Sequence, residues 1–184
     1  MDFDLLELLN SLRGQSILLE GLMQNLSNNL FGLFLAFFVV PYFFYKSQEK
    51  LLWVFLAWIL IIGITDFSAN LLKSFFLDFR PCFSDYSYLL DSKGQLLNQC
   101  SATLTGMPSN HSANFFAGSL FLITIFKINR YSVMFLLISC LVAISRIYLG
   151  KHFPYQVLVG ALYGAILGVL GGYIYLKISR NSRD

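Results

Sequence analysis

Five apolar runs of roughly membrane-spanning length leave this chain very few ways to fold. They cover about residues 29–45, 51–72, 109–126, 131–149 and 155–178. A backbone in hydrocarbon has no water to bond, so about 20 consecutive apolar residues must close their own hydrogen bonds as a helix. The prediction is an all-α polytopic membrane helix bundle: a single domain over 1–184 with about five transmembrane helices. Composition supports this, since 57% of residues are hydrophobic and only 12% charged, well outside the norm for a soluble domain. A net charge of +3 with cations at segment ends does not form a nucleic-acid-binding surface, so a nucleic-acid partner is excluded.

The stretches between the runs are informative too. Residues 1–26 mix leucines with Asp4, Glu7, Arg13, Gln15 and Glu20. That is too polar for a span and suits one amphipathic helix lying at the interface and capping the bundle. Asp2, Asp4 and Glu7 do not resemble the basic start of a cleaved signal peptide, so the chain is read as it stands. The segment 80–108 is a polar exterior loop. Within it, Cys82 and Cys100 are a candidate disulfide, and Phe83, Tyr86 and Tyr88 are candidate anchors for a lipid. Gly160, Gly164, Gly168 and Gly172 recur every four residues, a small-residue ridge for close helix packing within the bundle, with a homodimer as the lesser possibility. Cytoplasmic loops collect Lys and Arg. With the four cations nearest the histidines set aside, the basic residues place both histidines on the periplasmic or exterior face of a bacterial inner membrane.

Three polar clusters reach that face from different helices: Lys73 to Arg80-Pro81, Pro108-Ser109-Asn110-His111, and Ser145-Arg146 to His152. Lys73, Arg80 and Arg146 would repel one another unless a multiply charged anion lay between them, and phosphate fits. Ser109–His111 opens a helix, whose free N–H groups and positive dipole end favour the same anion. Two histidines suffice for phosphoryl transfer, one as nucleophile and one as acid. They fall short of a zinc set, so neither metal nor cofactor is expected.

These residues resemble the type-2 phosphatidic acid phosphatases, membrane lipid phosphatases related to vanadium haloperoxidases. Lys73-x6-Arg80-Pro81 fits the first part of that family's signature. Pro108-Ser109-Asn110-His111 fits the second except for asparagine in place of glycine. Ser145-Arg146-x5-His152-x3-Gln156 fits the third except for glutamine in place of aspartate. The resemblance implies that His152 attacks phosphorus to form a phosphohistidine and that His111 protonates the departing oxygen. It also implies that Lys73, Arg80, Ser109, Asn110 through its backbone and Arg146 hold the phosphoryl oxygens. Asn110 is tolerable because asparagine accepts left-handed backbone geometry. Gln156 can accept from a histidine N–H but supplies no charge, so it stands in the catalytic set as a weakened partner. Asp66, aligned with Asn70 beneath Lys73 on one helical face, is either a buried structural group or a substitute for the missing aspartate.

The function expected is hydrolysis of a lipid phosphate monoester or diphosphate. The candidate substrates, in order, are lipid A 1-phosphate, phosphatidylglycerophosphate and undecaprenyl diphosphate. The rivals are a lipid phosphotransferase and, because of Gln156, a catalytically silent binder or transporter of anionic lipid.

Overall fold

The computed structural model describes residues 2–36, 51–81, 89–91, 93–94 and 104–181. It is helical throughout its regular elements: α1 (Asp2–Asn10), α2 (Ile17–Leu26), α3 (Asn29–Phe34), α4 (Leu51–Phe76), α5 (Asn110–Phe126), α6 (Arg130–Tyr148) and α7 (Pro154–Asn181). Cys82, Cys100, Phe83, Tyr86 and Tyr88 lie outside the described residues.

Among the described residues, three helices are long and apolar enough to cross a membrane, at Leu52–Phe76, Arg130–Tyr148 and Pro154–Arg180. Their large apolar side chains are turned outward; Trp53, Leu60, Phe67 and Leu162 are all more than half exposed. In a membrane bundle such a surface faces lipid. α5 has 17 residues, about 25 Å at 1.5 Å per residue, and packs against α4, α6 and α7. Being enclosed by its neighbours, it can carry Ser112 and Ser119 inward, where they bond Val157 O at 2.8 Å and Phe135 O at 3.0 Å. The expected first span is described only as far as Ala36; its helix starts at Asn29, with Asn28 Oδ1 accepting from Leu30 N at 3.0 Å.

The single interfacial helix expected over 1–26 is two helices. Gly14 turns the chain with φ +75°, a conformation that favours glycine, and Ser16 then caps α2 by accepting from Leu19 N. Asp4, Glu7, Ser11 and Gln15 are exposed, but Asn10, Arg13 and Glu20 are buried and bonded. Arg13 pairs with Glu20 at 2.8 Å and reaches Leu90 O at 2.6 Å. Glu20 accepts from Tyr148 Oη at 3.0 Å, and Asn10 donates to Tyr148 O at 3.0 Å. Burial acts to raise the Glu20 pKa, but the bonds from Arg13, Gln24 and Tyr148 outweigh it and hold the carboxyl below its usual range. These bonds clamp α1 and α2 onto the end of α6 that carries the Ser-Arg motif.

The glycine ridge is used inside the chain. Gly160 faces the Ser109 backbone, Gly164 the Ala113 carbonyl and Gly168 the Ala117 carbonyl, and a Cβ at any of the three would overlap backbone atoms of α5. Backbone cannot swing aside as a side chain can, so α5 and α7 must separate to admit even a methyl group. Gly164→Ala is therefore expected to cost about 2–3 kcal/mol, read as a lower unfolding midpoint in detergent. Gly63→Ala, where nothing lies within 4 Å of the added atom, should be neutral or stabilising by up to ~1 kcal/mol. Equal midpoints for the two variants would refute close backbone packing as the role of the ridge.

Candidate active site

The α6–α7 turn sets the position of His152. Gly150 ends α6 with φ +65°, and the Arg146 carbonyl accepts from both Lys151 N (3.0 Å) and His152 N (3.3 Å), a glycine-terminated helix end. Pro154 opens α7, where its missing N–H costs nothing. Two residues on, Gln156 reaches back so that its Oε1 accepts from Phe153 N at 3.0 Å, one half of a capping box. The turn thus leaves His152 buried, at 2% exposure.

The His152 ring has an assigned tautomer. Nδ1 lies 2.9 Å from Gly106 O and 3.3 Å from Gln156 Oε1. Both partners are acceptors, so Nδ1 carries the hydrogen and Nε2 keeps its lone pair. Burial, followed by repulsion from Arg146, Arg80 and Lys73, holds the ring well below the usual histidine pKa, against a smaller opposing effect of the Gly106 carbonyl. The ring is therefore neutral at physiological pH, with a free basic nitrogen.

Gln156 is held by a carboxylate. Its Nε2 donates to Asp78 Oδ2 at 2.8 Å and to Phe79 O at 2.7 Å, and Tyr155 Oη donates to the same Asp78 oxygen at 2.6 Å. These bonds fix which end of the amide faces His152. Gly106 is required where it stands, because a Cβ there would collide with Gln156 Nε2 and the Phe79 carbonyl. Its N–H also donates to Asp78 O at 2.8 Å.

Around the histidine lie donors with no partner among the described residues: Arg80 Nε, Arg146 Nε and Ser109 Oγ, all buried. Ser109 is the N-cap of α5, yet its side chain makes no capping bond; a serine at that position ordinarily accepts from the first turn. Hydroxyl, guanidinium groups and first-turn N–H groups together suit a phosphoryl group. Burial lowers the Arg80 pKa, though arginine stays charged. Lys151, on the solvent side, is pushed down to about 8 by partial burial and by repulsion from Arg146, Arg13 and Arg80. Arg146 Nη1 is anchored on the Ser27 carbonyl, 3.3 Å away, and on the Ser27 hydroxyl. His111 bonds the Ser27 backbone as well, so the α2–α3 junction orients both.

Lys73, Arg80, His111, Arg146 and His152 line one cavity of about 620 Å³, which runs inward between α3, α4, α5 and α6 past Ile59, Ile62, Leu122 and Phe135. It joins a cationic mouth to an apolar interior, the profile of a site for a lipid with an anionic head. Among the described residues, no three His, Cys, Asp or Glu side chains gather to hold a metal ion.

The sequence profile of the PAP2 superfamily matches residues 50–180, which include every residue of this site except those supplied by the α2–α3 junction and by α3. The chain belongs to the PAP2 superfamily. A Lipid A 4'-phosphatase from Porphyromonas gingivalis is 29% identical over 164 residues, 88% of this chain and 68% of that protein. A Lipid A 4'-phosphatase from Bacteroides thetaiotaomicron is 35% identical over 74 residues, 40% of this chain. That stretch is only 31% of the Bacteroides protein's length. The crystal structure of a transmembrane PAP2 type phosphatidylglycerolphosphate phosphatase from Bacillus subtilis superposes with a TM-score of 0.62 at 21% identity, covering 98% of this chain and 85% of that one. It shares the fold.

Against the PAP2 signature, Asn110 needs no left-handed backbone. It is the first residue of α5, and among the described residues only Leu77 and Lys127 are non-glycine positions with positive φ. Its side chain turns back to α4, donating to Asp66 Oδ1 at 2.9 Å and Asn70 Oδ1 at 2.8 Å. Asp66 is thus a half-buried anchor for asparagines, and the carboxylate that serves Gln156 is Asp78. Sequence reasoning missed Asp78, although it lies two residues before Arg80. It also missed Gly106, which acts through a backbone carbonyl that no side-chain pattern reports, and Ser27, which adds its hydroxyl to its carbonyl in holding Arg146.

Proposed function

We propose that this PAP2 protein hydrolyses a phosphate monoester of a lipid A-type lipid at the outer face of the inner membrane, through a phosphohistidine on His152 and without a metal ion. The arrangement at His152 carries the reading: Nδ1 is engaged, Nε2 is free, and Arg80, Arg146 and Ser109 offer unpartnered donors around it. Nε2 attacks phosphorus as the bond to the lipid oxygen breaks, and His111 gives that oxygen a proton. Water then attacks the phosphohistidine as its bond to phosphorus breaks, and His111 takes a proton from that water, releasing phosphate and restoring neutral His152 and protonated His111. Lys73, Arg80, Arg146, Ser109 and the Asn110 N–H stabilise the charge on the equatorial oxygens. The positive charge arising on the His152 ring is shared with Gly106 O and, through Gln156, with the Asp78 carboxylate.

The relatives' names move the 4'-phosphate of lipid A ahead of the 1-phosphate, with phosphatidylglycerophosphate and undecaprenyl diphosphate following. Purified protein in detergent should release phosphate from bisphosphorylated lipid A, with mass spectrometry of the product identifying the position lost. Brief incubation with radiolabelled substrate and an alkaline quench should leave an acid-labile label on the protein. Failure to release phosphate from lipid A, phosphatidylglycerophosphate and undecaprenyl diphosphate alike would sink the proposal.

A further inference from the structure

The phosphate site does not use two buried acceptors that line the same cavity. Asn110 and Asn114 both donate through Nδ2 to Asp66 Oδ1, at 2.9 and 2.8 Å. A carboxylate accepts only, so both amides are oriented and both Oδ1 atoms point away from it. Those two Oδ1 atoms are buried with no partner among the described residues, and both side chains border the cavity. Asp66 is itself held, since Asn70 Nδ2 donates to its other oxygen at 3.0 Å. Flipping either amide would set a carbonyl against the carboxylate, so the outward-facing carbonyls persist.

Their position relative to the phosphate follows from α5. Asn110 is beside His111 at the helix start, and Asn114 lies one turn inward, about 6 Å along the axis. A lipid whose phosphate sits at the start of α5 brings the first carbons beyond the ester oxygen to this level. The cavity becomes apolar beyond it, so a lipid with no donor here leaves two carbonyls dry and unbonded, which weakens binding.

We propose that Asn110 and Asn114, oriented by Asp66, form a subsite that reads a hydrogen-bond donor close to the phosphate ester of the substrate. The favoured class is lipid phosphates with a hydroxyl or amide N–H on the neighbouring carbons, as in the 1-phosphate of an acylated amino sugar or a 4'-phosphate beside a free 3'-hydroxyl. Phosphatidate and prenyl phosphates, which have none, are disfavoured. This rests on the reading of the site as a lipid phosphatase and adds its selectivity.

Four matched probes test it: glycerol 3-phosphates with the same 1-alkyl chain, bearing at carbon 2 a hydroxyl, an acylamido, a methoxy or an acyloxy group. With wild-type protein in mixed micelles, the hydroxyl and acylamido lipids should show about tenfold higher kcat/KM than their methoxy and acyloxy counterparts. In Asn114→Ala that ratio should fall toward one. Equal kcat/KM across the wild-type series overturns the subsite, and so does an unchanged ratio in Asn114→Ala. The wild-type series decides by itself if the variant does not fold. No phosphate released from any probe or from lipid A would instead remove the phosphatase reading, and the subsite with it.

Discussion

Replacing His152 by alanine should lower phosphate release from a lipid phosphate by at least ~10⁴-fold, because the proposed route has no other atom placed to form the bond to phosphorus. The loss should be in kcat, and the labelled phosphoenzyme should disappear with it. The cradle of Lys73, Arg80, Arg146 and Ser109 stays in place, so product phosphate or a non-hydrolysable phosphonate should still bind. If instead the variant kept a tenth of wild-type activity, covalent catalysis at this residue would be ruled out. The same histidine makes a pH-resolved prediction. Its proton affinity is depressed by burial and then by Arg146, Arg80 and Lys73, so falling pH must reach well below 6.5 before the ring protonates. The chain has 2 histidines, so ¹⁵N-histidine spectra of His111→Gln report His152 alone. They should show one neutral tautomer with hydrogen on Nδ1 from pH 8 down through 6.5. A titration midpoint near the ordinary histidine value would contradict both the burial and the free Nε2.

What was legible in the sequence divides along physical lines. The spans over 51–72, 109–126, 131–149 and 155–178 could be read because apolar length dictates a helix in lipid, and the corresponding helices begin and end within a few residues of those bounds. The gathering of Lys73, Arg80, His111, Arg146 and His152 on one cavity could be read because isolated cations in an apolar chain need a shared anion. Residues 1–26 were legible at Asp4, Glu7 and Gln15, which are exposed, but not at Arg13 and Glu20, which satisfy each other inside the protein; a pattern of charges does not distinguish a wetted face from a buried pair. Asp66 was aligned with Asn70 by helical spacing, and Asn70 does bond it, but its other partners, Asn110 and Asn114, belong to another helix. Carbonyls such as Gly106 O and Ser27 O carry no side-chain identity, and every residue has one. Asp78 had a side chain to notice, but its pairing with Gln156 crosses 78 positions and depends on how the segment after α4 returns to α7.

That pairing yields a reversal of the family pattern. Restoring aspartate by Gln156→Asp should not improve this enzyme. The amide donates to Asp78 Oδ2 and Phe79 O while its oxygen faces His152; a carboxylate can accept from His152 but offers no hydrogen to Asp78. A buried carboxylate would then face the half-buried one of Asp78, and one must take up a proton or move apart. We expect Gln156→Asp to lower kcat about 10-fold or more at pH 7, and Gln156→Leu, which loses every one of these bonds, about 10²-fold. Asp78→Asn alone should cost somewhat less, since the His152 Nδ1 bond to Gly106 O remains. Combined as Asp78→Asn with Gln156→Asp, the donor and the acid are exchanged: the asparagine amide can now donate to the carboxylate that faces His152. The double variant should recover to within a few-fold of wild type, a coupling well outside additivity. Additive losses in kcat would mean that Asp78 acts on packing alone. Recovery would show that the negative charge beside the nucleophile is conserved in function while its place in the chain has moved from α7 to the segment following α4.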